Sequence, residues 1–205
     1  QTYQKEATFI AYGASMFNNP DESVLSSFHL VKYNYNLVIA RMEPENNIET
    51  ILKGHQASHS KRKLILIGNY TNAFGSYLKN KYENENTIFW GPLYDLNLLN
   101  NLRHFSHFYF HGHSVGGTNP SLLEAMASQA LIIAHENVFN KTVLGEDAFY
   151  FSTPFDITSL LNEEMQKKDY HNFLSNNDNK IKVHYSWQHI TSLLENMLLE
   201  AINKR

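Results

Sequence analysis

Apolar residues in this chain gather into short continuous runs, separated by longer stretches in which they recur at helical spacing. Leu37-Val-Ile-Ala40, Leu64-Ile-Leu-Ile67, Thr87-Ile-Phe-Trp90, Phe108-Tyr-Phe110 and Leu131-Ile-Ile-Ala134 predict strands buried on both faces. Ala148-Phe-Tyr-Phe151 predicts a sixth, and Ala7-Thr-Phe-Ile-Ala-Tyr-Gly13 a short strand ahead of them all, closed by a glycine turn. Pro44 and Glu45 open a predicted helix to about Ser58, with Ile48, Ile51 and Leu52 turned inward. Further helices are expected near 74–82, around Leu96, Leu99 and Leu102, and from Pro120 onward. Beyond the sixth run, Ile157–Met165 and Tyr170–Leu174 read as helices, and Asn176-Asn-Asp-Asn179 as a break. Trp187–Ile202 reads as an amphipathic helix with Ile190, Leu193, Leu194, Met197 and Leu198 on its apolar side.

Strand runs that return at roughly regular intervals with helices between them predict an α/β fold. The expectation is an open, Rossmann-like parallel sheet with right-handed crossovers and helices on both faces. No linker divides the chain, so residues 1–205 read as one domain. In such sheets ligands bind beyond the carboxyl ends of the strands. Arg41, Gly68, Gly91 and the loop His111–Asn119 all follow predicted strand ends and should line one rim.

The stretch His111–Met126 carries the most chemistry. Gly116-Gly117 permits backbone angles closed to other residues. Asn119 suits an N-cap and Pro120 the first helical position. Leu122, Leu123, Met126 and Ala127 form one helical stripe, and Ser121, Glu124 and Ser128 another. Free N–H groups at such a helix start attract phosphate, and Glu124 can accept from neutral hydroxyls beside it. The pattern fits a nucleotide or nucleotide-sugar; it fits equally a tight strand-to-helix turn followed by a solvated glutamate. It is not a standard phosphate-loop or dinucleotide fingerprint.

Composition narrows the classes. The net charge of −3 gives no case for nucleic-acid binding. No cysteine is present, which excludes disulfides, a thiol nucleophile and a thiolate metal site, and fits a reducing cytosol. No apolar run approaches the roughly 20 residues needed to span a bilayer, and none reads as a signal peptide. The chain opens at Gln1 without a methionine and reads as an excised domain. Of its 11 histidines, His111 and His113 fall on one strand face with no evident third ligand. No paired carboxylates of the kind that hold Mg²⁺ beside a diphosphate stand on the rim, so no metal and no cofactor is expected.

These segments together resemble a known family. Val38-Ile-Ala-Arg41-Met-Glu-Pro-Glu-Asn-Asn-Ile48 resembles the strand-arginine-loop-helix of the retaining glycosyltransferases of sequence family 4, which have the GT-B fold. Phe89-Trp-Gly-Pro92 is similar to their glycine-ended strand near the base pocket, and Gly116-Gly-Thr-Asn-Pro-Ser-Leu-Leu-Glu124-Ala-Met-Ala to their glycine loop and Glu-Ala-Met helix. Ala7–Gly13 is similar to the lead into their C-terminal domain, and the motifs stand in family order over residues 7–200. The wording His-Ser-Val-Gly-Gly-Thr-Asn-Pro resembles a bacterial subgroup that builds surface polysaccharide of the O-antigen type, part of lipopolysaccharide biosynthesis.

The resemblance implies half of a GT-B hexosyltransferase, with Arg41 as the catalytic residue that binds the donor diphosphate and steadies it as it leaves. Glu124 would bind the ribose, Gly91 would lie near the base, and Gly116, Gly117, Thr118 and Asn119 would offer backbone donors to diphosphate and sugar. Asn46 stands where the family usually has lysine, and Gly116 where it usually has a glutamate. The implied partners are a nucleotide-sugar, UDP-sugar favoured, and a glycolipid or polysaccharide acceptor held by an N-terminal domain outside this chain. Alone, the chain is expected to be inactive. The expected location is cytoplasmic, with room for peripheral association of the full-length enzyme at the inner face of the membrane. Another class stays open: a non-catalytic nucleotide- or phosphate-binding regulatory domain of flavodoxin-like build. A hydrolase is disfavoured, because His113-Ser114 is not a Gly-x-Ser-x-Gly nucleophile elbow.

Overall fold

The computed structural model describes residues 8–203. Six strands, β1 (Tyr35–Ile39), β2 (Lys63–Ile67), β3 (Thr87–Gly91), β4 (Tyr109–His111), β5 (Ile132–His135) and β6 (Phe149–Phe151), form one parallel sheet in the order β3-β2-β1-β4-β5-β6. The strands are short apolar runs because both their faces are covered. In β2, Ile65 and Ile67 point into one core while Leu64 and Leu66 point into the other. Helices α1 (Ile48–Ala57), α2 (Ala73–Tyr82) and α6 (Pro154–Asn162) cover the second face. Helices α3 (Leu96–Phe105), α4 (Pro120–Ala127) and α5 (Val138–Leu144) cover the first; α7 (His171–Lys180), whose Phe173 and Leu174 pack on the second core, and α8 (Trp187–Asn203) come after them in the chain. No helix of the described residues is long and apolar enough to cross a membrane.

The strand order is that of dinucleotide-binding sheets, not the 2-1-3-4-5 order of flavodoxin. A flavodoxin-like build is thereby overturned. From β1 the chain runs outward to β2 and β3, then returns to the other side of β1 at β4. The crevice at that reversal, between the carboxyl ends of β1 and β4, is where such sheets hold ligands.

Four local expectations are corrected. The described part of 7–13 is not a strand; Ala7 lies outside the described residues. Phe9 and Tyr12 are exposed there, so no burial fixes the segment in a sheet, and its pairing is a single bridge from Ala14 to Ser186. The helix expected from Pro44 is interrupted: a 3-10 turn over Pro44–Asn46 ends at Asn47 in the left-handed conformation, and α1 starts afterward. The asparagine-rich stretch 176–179 lies inside α7. Its weak helix propensity is overridden by tertiary hydrogen bonds to one residue: Asn176 donates to the Asp147 carboxylate at 2.8 Å, Asn177 to the Asp147 carbonyl at 2.8 Å, and Lys180 to the carboxylate at 2.7 Å. Finally, α5 has no counterpart among the predicted elements; its N-cap Asn137 accepts from the Asn140 amide at 3.0 Å.

The two sides of the crevice are latched across β1 and β4. Ser114 donates to the Glu45 carbonyl through its amide (3.0 Å) and its hydroxyl (2.9 Å), and Asn47 Nδ2 donates to the Gly112 carbonyl at 2.8 Å. The turn after β1 approaches so closely that a Cβ on residue 112 would stand 1.9 Å from the Asn46 carbonyl oxygen. Only glycine fits this contact. Gly112→Ala is therefore expected to lower the unfolding free energy by about 1–3 kcal/mol, the usual range for overpacking, as measured by urea denaturation; unchanged stability would show that the latch yields freely.

Candidate functional site

Two adjoining clefts open at the crevice. One, of about 180 Å³, is lined by residues from the ends of β1 and β4 and by Asn46, Asn119 and Ser121. The other, of about 450 Å³, extends past Gly68, Pro92–Tyr94 and Leu99 to Arg103 and Glu124. Ile39, Ala40, Arg41, Asn119 and Ser121 line both. Arg41 follows β1 directly, is exposed, and has no ion-pair partner among the described residues. A guanidinium left free at a cleft wall is a ready anion contact.

Asn46 lines the narrower cleft, but both ends of its amide are engaged. Nδ2 donates to the Arg41 carbonyl at 2.8 Å, and Oδ1 lies 2.8 Å from His113 Nδ1. The residue thus ties the Arg41 backbone to the loop after β4 rather than presenting its amide to a ligand. His111 lines the same cleft, buried, with Nε2 unpartnered among the described residues. Burial, with His113 and Arg103 adding to it, pushes the His111 ring down to about 3, so it is neutral near pH 7.

The start of α4 does not offer the free amides expected of it. Asn119 Oδ1 accepts from the Ser121 amide at 2.9 Å, and the Asn119 carbonyl accepts from Leu122 and Leu123. Pro120 has no N–H to give. The unengaged donors lie one step earlier: the amides of Val115, Gly116, Gly117 and Thr118 form no hydrogen bond among the described residues. Gly116 has φ +92°, and neither it nor Gly117 has a neighbour that a Cβ would meet. The loop stands out in solvent and lines neither cleft.

Glu124 faces the wider cleft with about a third of its side chain exposed, yet Oε2 accepts from Arg103 Nη2 at 2.6 Å. Arg103 is 1% exposed. Its Nη1 donates to Asn100 Oδ1 at 2.8 Å, and Nη2 also to Ser121 Oγ at 3.2 Å. Ser121 Oγ lies 2.8 Å from the Tyr109 hydroxyl, and the guanidinium sits 5.9 Å from the Tyr109 ring centre. The polar stripe of α4 therefore packs on a buried arginine from α3, and Glu124 is an ion-paired, partly exposed cleft residue instead of a fully solvated one.

Of the residues singled out in the sequence, the structure brings Arg41, Asn46, Asn119 and Glu124 to the clefts, and leaves Gly91, Gly116, Gly117 and Thr118 off their walls. Gly91 ends β3 with φ +81° and accepts from the Gly68 amide at 2.9 Å; its successors Pro92–Tyr94 take the cleft positions. Arg103 and Ser121 were not foreseen as site residues, whereas His111 lines the narrower cleft as its place in the rim loop implied. Arg103 had a visible signal: it stands four residues after Leu99, a charge on an apolar stripe. Among the described residues no group of three or more acidic, histidine or cysteine side chains is arranged to hold a metal.

No family model and no curated protein sequence matches the chain. Solved structures do. Sucrose-phosphate synthase from Thermosynechococcus elongatus aligns with 96% of this chain and 53% of its own, at 15% identity and a TM-score of 0.77. Anabaena Alr3699/HepE, solved with UDP and glucose, aligns with 87% of this chain and 52% of its own, at 12% identity and a TM-score of 0.72. The C-terminal domain of a group 1 family glycosyl transferase (LpcC) from Francisella tularensis aligns over 87% of this chain and 97% of its own, at 15% identity and a TM-score of 0.64. The fold is that of one half of these glycosyltransferases: an open six-stranded parallel sheet of Rossmann-like α/β build. The chain spans about half the length of the synthase and of HepE.

Removing either partner of the Arg103–Glu124 pair has unequal consequences. Glu124→Ala strands a buried guanidinium and is expected to cost about 3 kcal/mol; Glu124→Gln keeps an acceptor and should cost clearly less. Equal losses on thermal unfolding would show that Arg103 is held by Asn100 and Ser121 alone. The buried histidines set an acid limit. His111 and His107 both titrate near 3 in the fold against an ordinary 6.5. The unfolded chain therefore binds more protons between these values, and stability should rise with pH over about 3 to 6.5 and be complete above it. His111→Gln should flatten that rise when unfolding free energy is measured across the range; an unchanged slope would assign the rise to other groups.

Proposed function

We propose that this chain is the donor-binding half of a retaining glycosyltransferase that moves a hexose-type sugar from a nucleoside-diphosphate sugar to a growing cell-surface polysaccharide or lipid-linked oligosaccharide. The observation that carries the reading is Arg41: an unpaired guanidinium shared by both clefts at the strand-order reversal, opposite the Asn119–Ser121 start of α4. The likeness to glycosyltransferase halves supports it, and the UDP in the HepE structure supports a UDP-sugar as donor.

In this reading the diphosphate lies between Arg41 and the unengaged amides of Val115–Thr118, and the ribose hydroxyls meet Glu124, whose carboxylate Arg103 holds in place. Breaking the anomeric C–O bond leaves negative charge on the nucleoside diphosphate. A cation fixed where that charge develops stabilises the transition state more than the bound donor. Asn46, with no charge and both amide ends engaged, leaves this work to Arg41 and holds its backbone. A separate acceptor domain would complete the enzyme, at the inner face of a bacterial membrane, with neither metal nor cofactor.

Calorimetric titration of the chain with UDP-glucose, other nucleotide-sugars and the bare nucleotides tests the reading. Binding that prefers a sugar-bearing nucleotide supports a transferase; equal affinity for nucleotide and nucleotide-sugar would favour a regulatory nucleotide-binding domain. In the enzyme joined to its acceptor domain, Arg41→Ala should lower kcat by about 10²-fold or more with a smaller effect on donor affinity. Arg41→Lys should restore only part, because an ammonium lacks the two-pronged grip. Normal turnover by Arg41→Ala would place the catalytic centre elsewhere.

A further inference from the structure

At the opposite end of the sheet from the crevice, residues leading into three adjacent strands enclose a second cavity. Tyr33 precedes β1, Arg62 precedes β2 and His107 precedes β4. They share about 260 Å³ with Gln166, Lys167 and Lys168, which follow α6. Three of these side chains are cationic and none is a carboxylate. Lys167 is 6% exposed; its ammonium donates to the His104 carbonyl in the last turn of α3 and lies 5.5 Å from the Tyr33 ring centre. Capping α3 uses one of its three N–H groups, and the others have no partner among the described residues. Arg62 Nε donates to the Tyr33 carbonyl at 3.1 Å, which leaves both terminal amino groups unpartnered among the described residues. His107 is 2% exposed and packs against Phe108; neither ring nitrogen has a hydrogen-bond partner among the described residues.

Arg62 also lines the neighbouring groove, which it shares with Lys61, Glu163 and Glu164, yet no carboxylate among the described residues comes within ion-pair distance of Arg62 or Lys167. Buried charge without a counter-charge is costly. The cost is visible in the groups themselves: burial pushes Lys167 down to about 7, and burial together with Arg62 and Lys167 holds His107 near 3.

We propose that this cavity is a binding site for a compact phosphate, either inorganic phosphate or the phosphate group of a small monoester, gripped by the Arg62 fork and the Lys167 ammonium with the neutral His107 ring as a further donor. A guanidinium matches two phosphate oxygens at once and an ammonium takes the third as a point charge. A dianion balances the charges of Arg62 and Lys167. The volume accommodates a phosphate with a few further atoms, not a nucleotide-sugar, so the ligand differs from the one proposed for the crevice. The site does not depend on that reading, since it lies on the other rim of the sheet.

The test uses the chain carrying Arg41→Ala, so that the free cation of the crevice does not contribute. Inorganic phosphate is titrated at ionic strength held constant with chloride, followed by thermal unfolding and by the His107 ring resonances in nitrogen-15 NMR. The expected result is a saturable rise in Tm with a matching shift of the His107 signals. Lys167→Met and Arg62→Gln should each weaken the response about tenfold or more. Should Lys167→Met fail to fold, Arg62→Gln, at a partly exposed position, carries the comparison. Phosphatidylcholine vesicles with and without phosphatidic acid separate a free phosphate from a lipid headgroup, and no co-sedimentation is expected. The proposal is overturned if phosphate does no more than chloride, if the response survives both variants, or if the chain binds phosphatidic acid vesicles while ignoring free phosphate.

Discussion

A guanidinium that is almost wholly buried between a helix layer and a sheet needs a counter-charge and nearly a full set of acceptors. Arg103 finds its counter-charge in Glu124 and two further acceptors in Asn100 and Ser121, with the Tyr109 ring beneath, while its Nε stays buried without a partner among the described residues. This cluster fixes the rotation of α4 relative to α3, and with it the carboxylate that faces the wider cleft. It also sets the approach of α4 to β4, because Ser121 joins the arginine to Tyr109. The wall of the cleft is thus an interior electrostatic arrangement seen from outside.

Much of the sheet was legible in the sequence because parallel strands buried on both faces are written as uninterrupted apolar runs. All six from Leu37 onward are present. What failed were segments whose state is decided at a distance. Residues 8–13 have strand-like composition but no strand to pair with, and 176–179 have the composition of a break but gain Asp147 as a partner. Neither fact is local. The site divides the same way. That Arg41, Asn119 and Glu124 face the crevice was legible because position after a strand or at a helix start is a local property. The engagement of Asn46 with His113 spans 67 residues, and that of Glu124 with Arg103 spans 21. Both convert residues read as ligand contacts into residues that hold other groups as well.

The two rims of the sheet make an instructive contrast. At the carboxyl end, Arg41 stands exposed and, among the described residues, without an ion-pair partner, where water screens it until something displaces the water. At the amino end, the Lys167 ammonium is packed beneath the surface beside the partly exposed Arg62, where its charge acts at lower effective dielectric. The same formal charge is therefore cheap to hold in one place and costly in the other.

The strand order also bears on how the molecule comes together. β1, β2 and β3 are neighbours in sequence and in space, so they can pair as the chain emerges, with short closures between them. β4 must return past two finished strands to join β1, pairing Leu37 with Tyr109. That pairing joins residues farther apart in sequence than any other strand pair of the sheet. The crevice lies along this seam. Its walls belong to two halves of the sheet, and a cleft of this shape exists only once that long-range pairing has been made.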